Sequence, residues 1–276
     1  MQLSMEMLEA FSQNLNREEK SEATRKKYLR DARAFLAFAG GEELSKETVV
    51  AWKKSLIGRG YTVASVNSML ASINSWLDYL ELPGYKVKNN RVQRQTYCSE
   101  DKELTKAEYM RLLAAARKDR RLNLMLQTIC GTGIRVSELR YFTVDSVSRG
   151  EIVIQCKGKN RTILVPGRLR SMLLKYARAH GISDGTIFLG KTGKPLDRSC
   201  IWRMMKNLCC AANVKATKVF PHNLRKLFAR TFYGIEKDIA KLADILGHSS
   251  INTTRIYIMT TGSEHRRQLE RLGLVL

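Results

Sequence analysis

The chain has 276 residues, 44% hydrophobic and 27% charged, and its 48 Lys and Arg against 26 Asp and Glu give a formal net charge of +22. That composition suits a folded chain with a sizeable core and excludes a disordered one. No apolar run approaches the roughly 18 residues of a membrane span, and the start MQLSMEMLEAFSQNLNREEK lacks the basic-then-apolar order of a signal peptide.

In chain order, a short helix is expected near residues 4–14. Residues 22–40 carry Tyr28, Leu29, Ala32, Phe35, Leu36 and Ala39 at helical steps of three and four, with Ser21 as N-cap and Gly40-Gly41 as a stop. Ser45 caps a third helix through Leu56. Thr62 opens a fourth, with Val66, Met69, Leu70, Ile73, Leu77 and Leu80 on one stripe, ended by Pro83-Gly84. These predict an N-terminal bundle of about four helices over 1–84. Residues 85–103 are polar and aperiodic and read as a linker, a basic strap between two domains.

A second domain is expected over 104–276. Thr105 and Glu108 have capping-box spacing, and a further helix covers about 121–130. The period then changes: Glu151–Cys156 and Arg161–Val165 are short and β-branched, and Lys157-Gly158-Lys159-Asn160 between them signals a hairpin. From Arg168 the pattern is helical in about five segments, with a last short helix after Ser263. The predicted fold is mainly α with a small antiparallel sheet.

The charge is uneven: residues 1–90 hold 13 basic and 11 acidic side chains, residues 91–276 hold 35 and 15. A contiguous basic region points to a polyanion, most simply nucleic acid. The six cysteines form no CxxC pair. They read as reduced thiols of a cytoplasmic protein, and no zinc site is expected. Gly185–Thr192 spells the phosphate-loop pattern G-x-x-x-x-G-K-T, but its central Thr-Ile-Phe-Leu reads as a buried segment and Pro195 stands where a helix must follow. Nucleotide binding is not expected.

Five pieces remain: GTGIRVSEL from Gly131, CKGKNR at 156–161, PHNLR at 221–225, LGHSS at 246–250, and Tyr257 nine residues after His248. Their order and spacing resemble the catalytic signature of the tyrosine recombinase (integrase) family, Xer- and phage-integrase-like, and TRKKYLRDARAFLAF resembles its core-binding domain. The resemblance implies a helical, SAM-like core-binding domain and an α+β catalytic domain. It implies site-specific cleavage and rejoining of DNA through a 3′-phosphotyrosine and a Holliday junction. Tyr257 would be the nucleophile. Arg135 and Arg225, with forks that bind two phosphate oxygens, would hold the phosphate, with His222 and His248 beside them. Lys157 would be the acid for the 5′-oxygen, Lys159 the lesser candidate, and Glu138 would orient Arg135. Lys159, Arg161, Arg25, Lys26, Arg91 and Arg94 are expected DNA contacts. No metal or other cofactor is implied.

The implied partner is double-stranded DNA carrying an inverted-repeat core site, bound by a homotetramer whose C-terminal tail exchanges between protomers. A partner recombinase or directionality factor is an open possibility, and the location is cytoplasmic and nucleoid-associated. Lys226 stands where many relatives have histidine, which leans the reading toward integration and excision of a mobile element rather than resolution. Two alternatives stay open: a topoisomerase-IB-like DNA-relaxing enzyme, and a catalytically silent DNA-binding regulator on the same fold.

Overall fold

Side-chain oxygens placed one residue ahead of apolar stripes start most of the helices. In this computed structural model residues 1–92, 97–156, 159–190 and 192–274 are described, positions 156 and 159 by backbone alone. The chain divides into two compact units, Met1–Arg94 and Gln95–Leu276.

The first unit contains α1 (Met5–Arg17), α2 (Glu22–Ala39), α3 (Lys46–Gly58) and α4 (Val63–Tyr79). Ser4, Ser21, Ser45 and Thr62 each accept a hydrogen bond from a first-turn amide, satisfying donors that the helix itself cannot pair. The inward stripes meet around Phe11, Leu15, Phe35, Trp52, Leu70, Ile73 and Trp76. Phe35 meets Trp52 edge-on at 5.2 Å between ring centroids.

The first residues of the expected linker are held in place. Asn74 exchanges hydrogen bonds with the backbone of Val87, and Asn67 with that of Asn90. Both amides act as a strand edge would, pairing one donor and one acceptor of an otherwise irregular segment. The sequence showed only polarity there, because nothing in its period marks side chains that substitute for a backbone ladder.

The second unit runs α5 (Lys106–Ala115), α6 (Arg120–Thr132), a 3₁₀ segment (Val136–Tyr141) and α7 (Val144–Arg149). Then come β1 (Glu151–Cys156), β2 (Lys159–Leu164), α8 (Gly167–Ala179), α9 (Arg198–Asn207), α10 (Pro221–Glu236), α11 (Ile239–Leu246), α12 (Ile251–Ile258) and α13 (Gly262–Glu270). Its core gathers Met125, Ile129, Ile134, Phe142, Leu173, Ile187 and Leu224. Ile187 and Phe188 are buried there, so the centre of the phosphate-loop look-alike is core. The capping box of Thr105 and Glu108 is formed as expected.

Two boundaries differ from expectation. β2 begins at Lys159, not Arg161, since Cys156 pairs with Lys159 and leaves two residues between the strands. That is the commonest hairpin spacing. The last helix is capped by Thr261 rather than Ser263: Thr261 and Glu264 satisfy each other's backbone amides, while Ser263 Oγ bonds Glu100 instead.

The register of the hairpin places side chains. Ile152 pairs with Ile163 and Ile154 with Arg161, so these four share one face. The isoleucines are buried, whereas Val153 and Leu164 on the other face are exposed. Arg161 therefore points inward.

Candidate active site

The site forms where two helix ends meet α10. A helix C-terminus leaves carbonyls unpaired and carries the negative end of the dipole. α6 ends at Gly133 and α11 at Leu246-Gly247. Arg225, 2% exposed, donates from Nη1 to Gly133 O at 2.5 Å and from Nη2 to Leu246 O at 2.6 Å. Its Nε is buried without a partner among the described residues. Burial, then repulsion from Arg135, pulls its pKa down to about 10, so the guanidinium stays charged at neutral pH.

Arg135 caps the 3₁₀ segment. Its amide donates to Glu138 Oε2 at 2.7 Å, its Nη1 to Glu138 Oε1 at 3.0 Å and its Nη2 to Gly247 O at 3.3 Å. The side chain keeps 43% exposure, leaving donors open to an incoming anion. Glu138 is buried and shared: Arg161 Nη2 donates to its Oε2 at 2.6 Å. Arg161 also donates from Nη1 to Leu246 O. Three arginines thus converge on one carboxylate and two neighbouring carbonyls. Arg161, expected on DNA, is 11% exposed and turned into this cluster by the strand register.

His248 follows Gly247. Its Nε2 lies 3.0 Å from Arg225 Nη2 and its Nδ1 2.9 Å from Thr254 Oγ1. A guanidinium only donates, so Nε2 accepts and Nδ1 carries the hydrogen to Thr254. Burial first, then Arg225, Arg135 and Arg161, lowers its pKa from 6.5 to about 4. Thr254, fully buried, was not foreseen; nothing in a Thr-Thr pair on α12 marks it as the histidine's partner.

Tyr257, 8% exposed on α12, lies between the two histidines, its ring centroid 4.9 Å from each. Its hydroxyl is 3.4 Å from His222 Nδ1, and the Arg225 guanidinium stands 5.8 Å from its ring centre. Burial lowers the His222 pKa, with Lys226 and Arg225 adding repulsion. Both histidines are neutral at neutral pH.

This has a consequence for stability. The unfolded chain binds a proton at His248 as pH falls below 6.5, whereas the folded chain refuses it until about 4. Above 6.5 the neutral histidine's contribution is complete; between 6.5 and 4 it is lost as pH falls. The melting temperature is expected to drop across that window, and His248→Gln to flatten the drop. Thermal melts of both proteins across the range check it.

Lys226 has a local explanation. It pairs with Glu103, and both are nearly buried. Arg230, one turn on, reaches Glu103 at 3.7 Å and Glu264 at 2.5 Å. Cys98 N donates to Thr260 O at 3.1 Å and Cys98 Sγ to Met259 O at 3.3 Å. Residues 98–103 thus hold the segment just after Tyr257 against α10. The departure from the family pattern is compensated by a buried carboxylate over a hundred positions away, which no local reading could pair with it.

Gly133 is fixed by the same packing. It sits at φ +65°, and a Cβ there would run into the Phe228 ring. Gly133→Ala is expected to cost about 1–2 kcal/mol for the left-handed backbone and about 1–3 kcal/mol for overpacking. A denaturant midpoint measures the loss.

Lys157 and Arg94 lie outside the described residues, and of Lys159 only the backbone is described. Arg25 bonds Asn16 and Lys26 pairs with Glu22, on the first unit, where Arg91 is exposed. Among the described residues no helix is long and apolar enough to cross a membrane, and no three acidic, histidine or cysteine side chains gather as metal ligands.

Comparison with known proteins places this geometry. Residues 102–264 match the phage integrase family and residues 8–84 its N-terminal SAM-like domain. The tyrosine recombinase XerA of Pyrococcus furiosus is 27% identical over 99% of this chain and 96% of its own length. The tyrosine recombinase XerC of Roseiflexus castenholzii is 29% identical over 91% of this chain and 88% of its own. Among solved structures, a lambda integrase (75–356) dimer bound to a COC′ core site superposes with a TM-score of 0.75 at 19% identity, covering 95% of this chain and 97% of that one. That likeness bears out the expected fold. With the family's two domains matched over most of its length, the chain belongs to the phage integrase family, the tyrosine recombinases.

Proposed function

We infer that this chain is a site-specific DNA recombinase in which Tyr257 cuts one strand and keeps the bond energy as a 3′-phosphotyrosine. The observation that carries the inference is the convergence of Tyr257, His222, His248, Arg225 and Arg135 at the ends of α6 and α11. The phosphate sits over the half-exposed Arg135, with the buried Arg225 guanidinium behind it. Fixed cations there meet the charge that grows on the non-bridging oxygens and need no reorganisation during reaction.

The Tyr257 oxygen attacks phosphorus, its proton passing to neutral His222 Nδ1, and the bond from phosphorus to the 5′-oxygen breaks. That oxygen takes a proton from Lys157. The 3.4 Å contact between Tyr257 and His222 is long for proton transfer, and DNA binding is expected to tighten it. His248 accepts from Arg225 and steadies its fork. Attack by the 5′-hydroxyl of a second duplex reverses the step and joins new partners. Two such exchanges, passing through a Holliday junction, complete a recombination.

Four protomers on two inverted-repeat core sites supply the required strands, as in the lambda integrase tetramer solved on a Holliday junction. Leu269, Leu272 and Leu274 at the C-terminal end are exposed and suit a neighbouring protomer. Residues 1–84 serve as the core-binding domain and 104–276 as the catalytic domain, closing on the duplex through phosphate contacts that weaken steeply with salt. Lys159 at the start of β2, and Arg91 and Arg94 at the end of the first unit, serve the DNA backbone, as Arg25 and Lys26 do on α2. The work is done in the cytoplasm, on nucleoid DNA. The recombination serves integration and excision of a mobile element or resolution of DNA, with Lys226 leaning the reading toward the former.

The test is to incubate the chain with nicked half-site duplexes, from which the cut strand's end diffuses away, and to digest any denaturant-resistant adduct. A phosphorylated peptide carrying the nucleotide on Tyr257 is expected. An adduct on another tyrosine overturns the assignment.

A further inference from the structure

We propose that Arg161 is a positioning residue for strand cleavage: it fixes Glu138 and the end of α11 so that Arg135, Arg225 and His248 present one preformed phosphate pocket. The proposal rests on the recombinase reading above and adds to it a residue that the chemistry itself does not name.

Several features converge on it. Arg161 lies opposite Ile154 on the inward face of the hairpin, a position the alternation reserves for apolar side chains. A charge there is costly unless every donor it carries is directed somewhere useful. Nη2 takes Glu138 Oε2, the oxygen that also accepts the Arg135 amide, and Nη1 takes Leu246 O, the carbonyl that also accepts from Arg225. These two bonds of Arg161 therefore end on the two acceptors that aim the phosphate-binding arginines. Gly247, at φ +63°, lies against the same side chain: a Cβ there would come within 2.7 Å of Arg161 Cδ and 2.9 Å of Nη1. Only glycine lets the chain turn over Arg161 and deliver Gly247 O to Arg135 and His248 to Arg225.

The geometry separates this role from two others. A DNA contact needs an exposed guanidinium, and Arg161 is 11% exposed with both terminal nitrogens directed inward. A partner of the proton donor would act on the leaving 5′-oxygen. The acceptors of Arg161 instead belong to the groups that face the non-bridging oxygens.

The experiment starts by letting the wild-type chain capture nicked half-site duplexes from a random-sequence library as denaturant-resistant adducts. A wild-type chain that captures none overturns the recombinase reading and this proposal with it. On captured duplexes, Arg161→Gln at saturating DNA is expected to bind within twofold of wild type and to cleave about 100-fold more slowly, the scale set by small misplacement of catalytic groups. Arg161→Lys recovers little, because one ammonium cannot span both acceptors. The double variant with Glu138→Gln is no slower than the slower single variant, since both remove one device. Replacing the 5′-bridging oxygen by sulfur, whose thiolate leaves without a proton, does not restore Arg161→Gln.

Three results would overturn the proposal. One is weakened binding with normal cleavage at saturation, which makes Arg161 a DNA contact. Another is rescue by sulfur, which places it behind the proton donor. The third is a double variant slowed by the product of the two single effects. If Arg161→Gln does not fold, shown by loss of its cooperative melt, Arg161→Lys is held to the same three criteria.

Discussion

Tyr257→Phe is expected to fold, to bind DNA as tightly as the parent chain and to form no denaturant-resistant adduct. The ring, not the hydroxyl, does the packing: it lies between His222 and His248 and beside the Arg225 guanidinium. Phenylalanine keeps that ring. Among the described residues the lost hydroxyl made only the 3.4 Å contact to His222, so stability should change by under about 1 kcal/mol. Cleavage loses its nucleophile, and such losses reach a factor of about 10⁶ in other covalent enzymes. Gel-shift titration and adduct assays on the same duplex check both halves. A variant that still forms the adduct would mean another tyrosine attacks. A wild-type chain that binds tightly and forms none would revive the reading of a silent regulator.

Much of this site was legible in the sequence because local rules wrote it. Pro221 opens α10 and sets His222 and Arg225 on one face, three residues apart. Arg135 and Glu138 close a capping arrangement at the same spacing. Ser21, Ser45, Thr62 and Thr105 start the helices they were expected to start. What escaped depends on pairs distant in sequence. Arg161 read as a surface charge because a basic residue near a hairpin turn normally is one. Which face of β2 turns inward depends on how the two strands pair and pack. The hold of Asn67 and Asn74 on residues 87–90 and the match of Lys226 to Glu103 are of the same kind. Each is a tertiary pairing with no periodic trace. Thr254 was missed for a simpler reason: a buried threonine on a short helix has the same local signature whether or not a histidine needs it.

Arg225→Gln is expected to reduce cleavage by about 10³-fold or more, since one lost oxyanion donor already costs about 10²–10³ and here a charge goes with it. The fold should survive the change better than the activity does. Removing the guanidinium leaves Gly133 O and His248 Nε2 short of a donor, while Leu246 O keeps Arg161, a cost of about 1–3 kcal/mol for each group left without one. It also removes a buried cation whose pKa, down to about 10, records how poorly the site solvates it. These terms oppose each other, so the melting temperature moves less than the loss of three bonds suggests. Arg225→Lys separates charge from geometry: an ammonium restores the charge but cannot reach two helix ends and a histidine in one plane, so most of the activity stays lost. A further readout belongs to this site alone. Arg225 is the nearest cation depressing His248, after burial itself. In Arg225→Gln the imidazole is expected to titrate above its value of about 4 in the parent chain, moving back toward 6.5. An NMR titration of the His248 ring follows this directly. An unmoved titration beside an inactive enzyme would place Arg225 away from His248 in the folded protein, whatever its effect on rate.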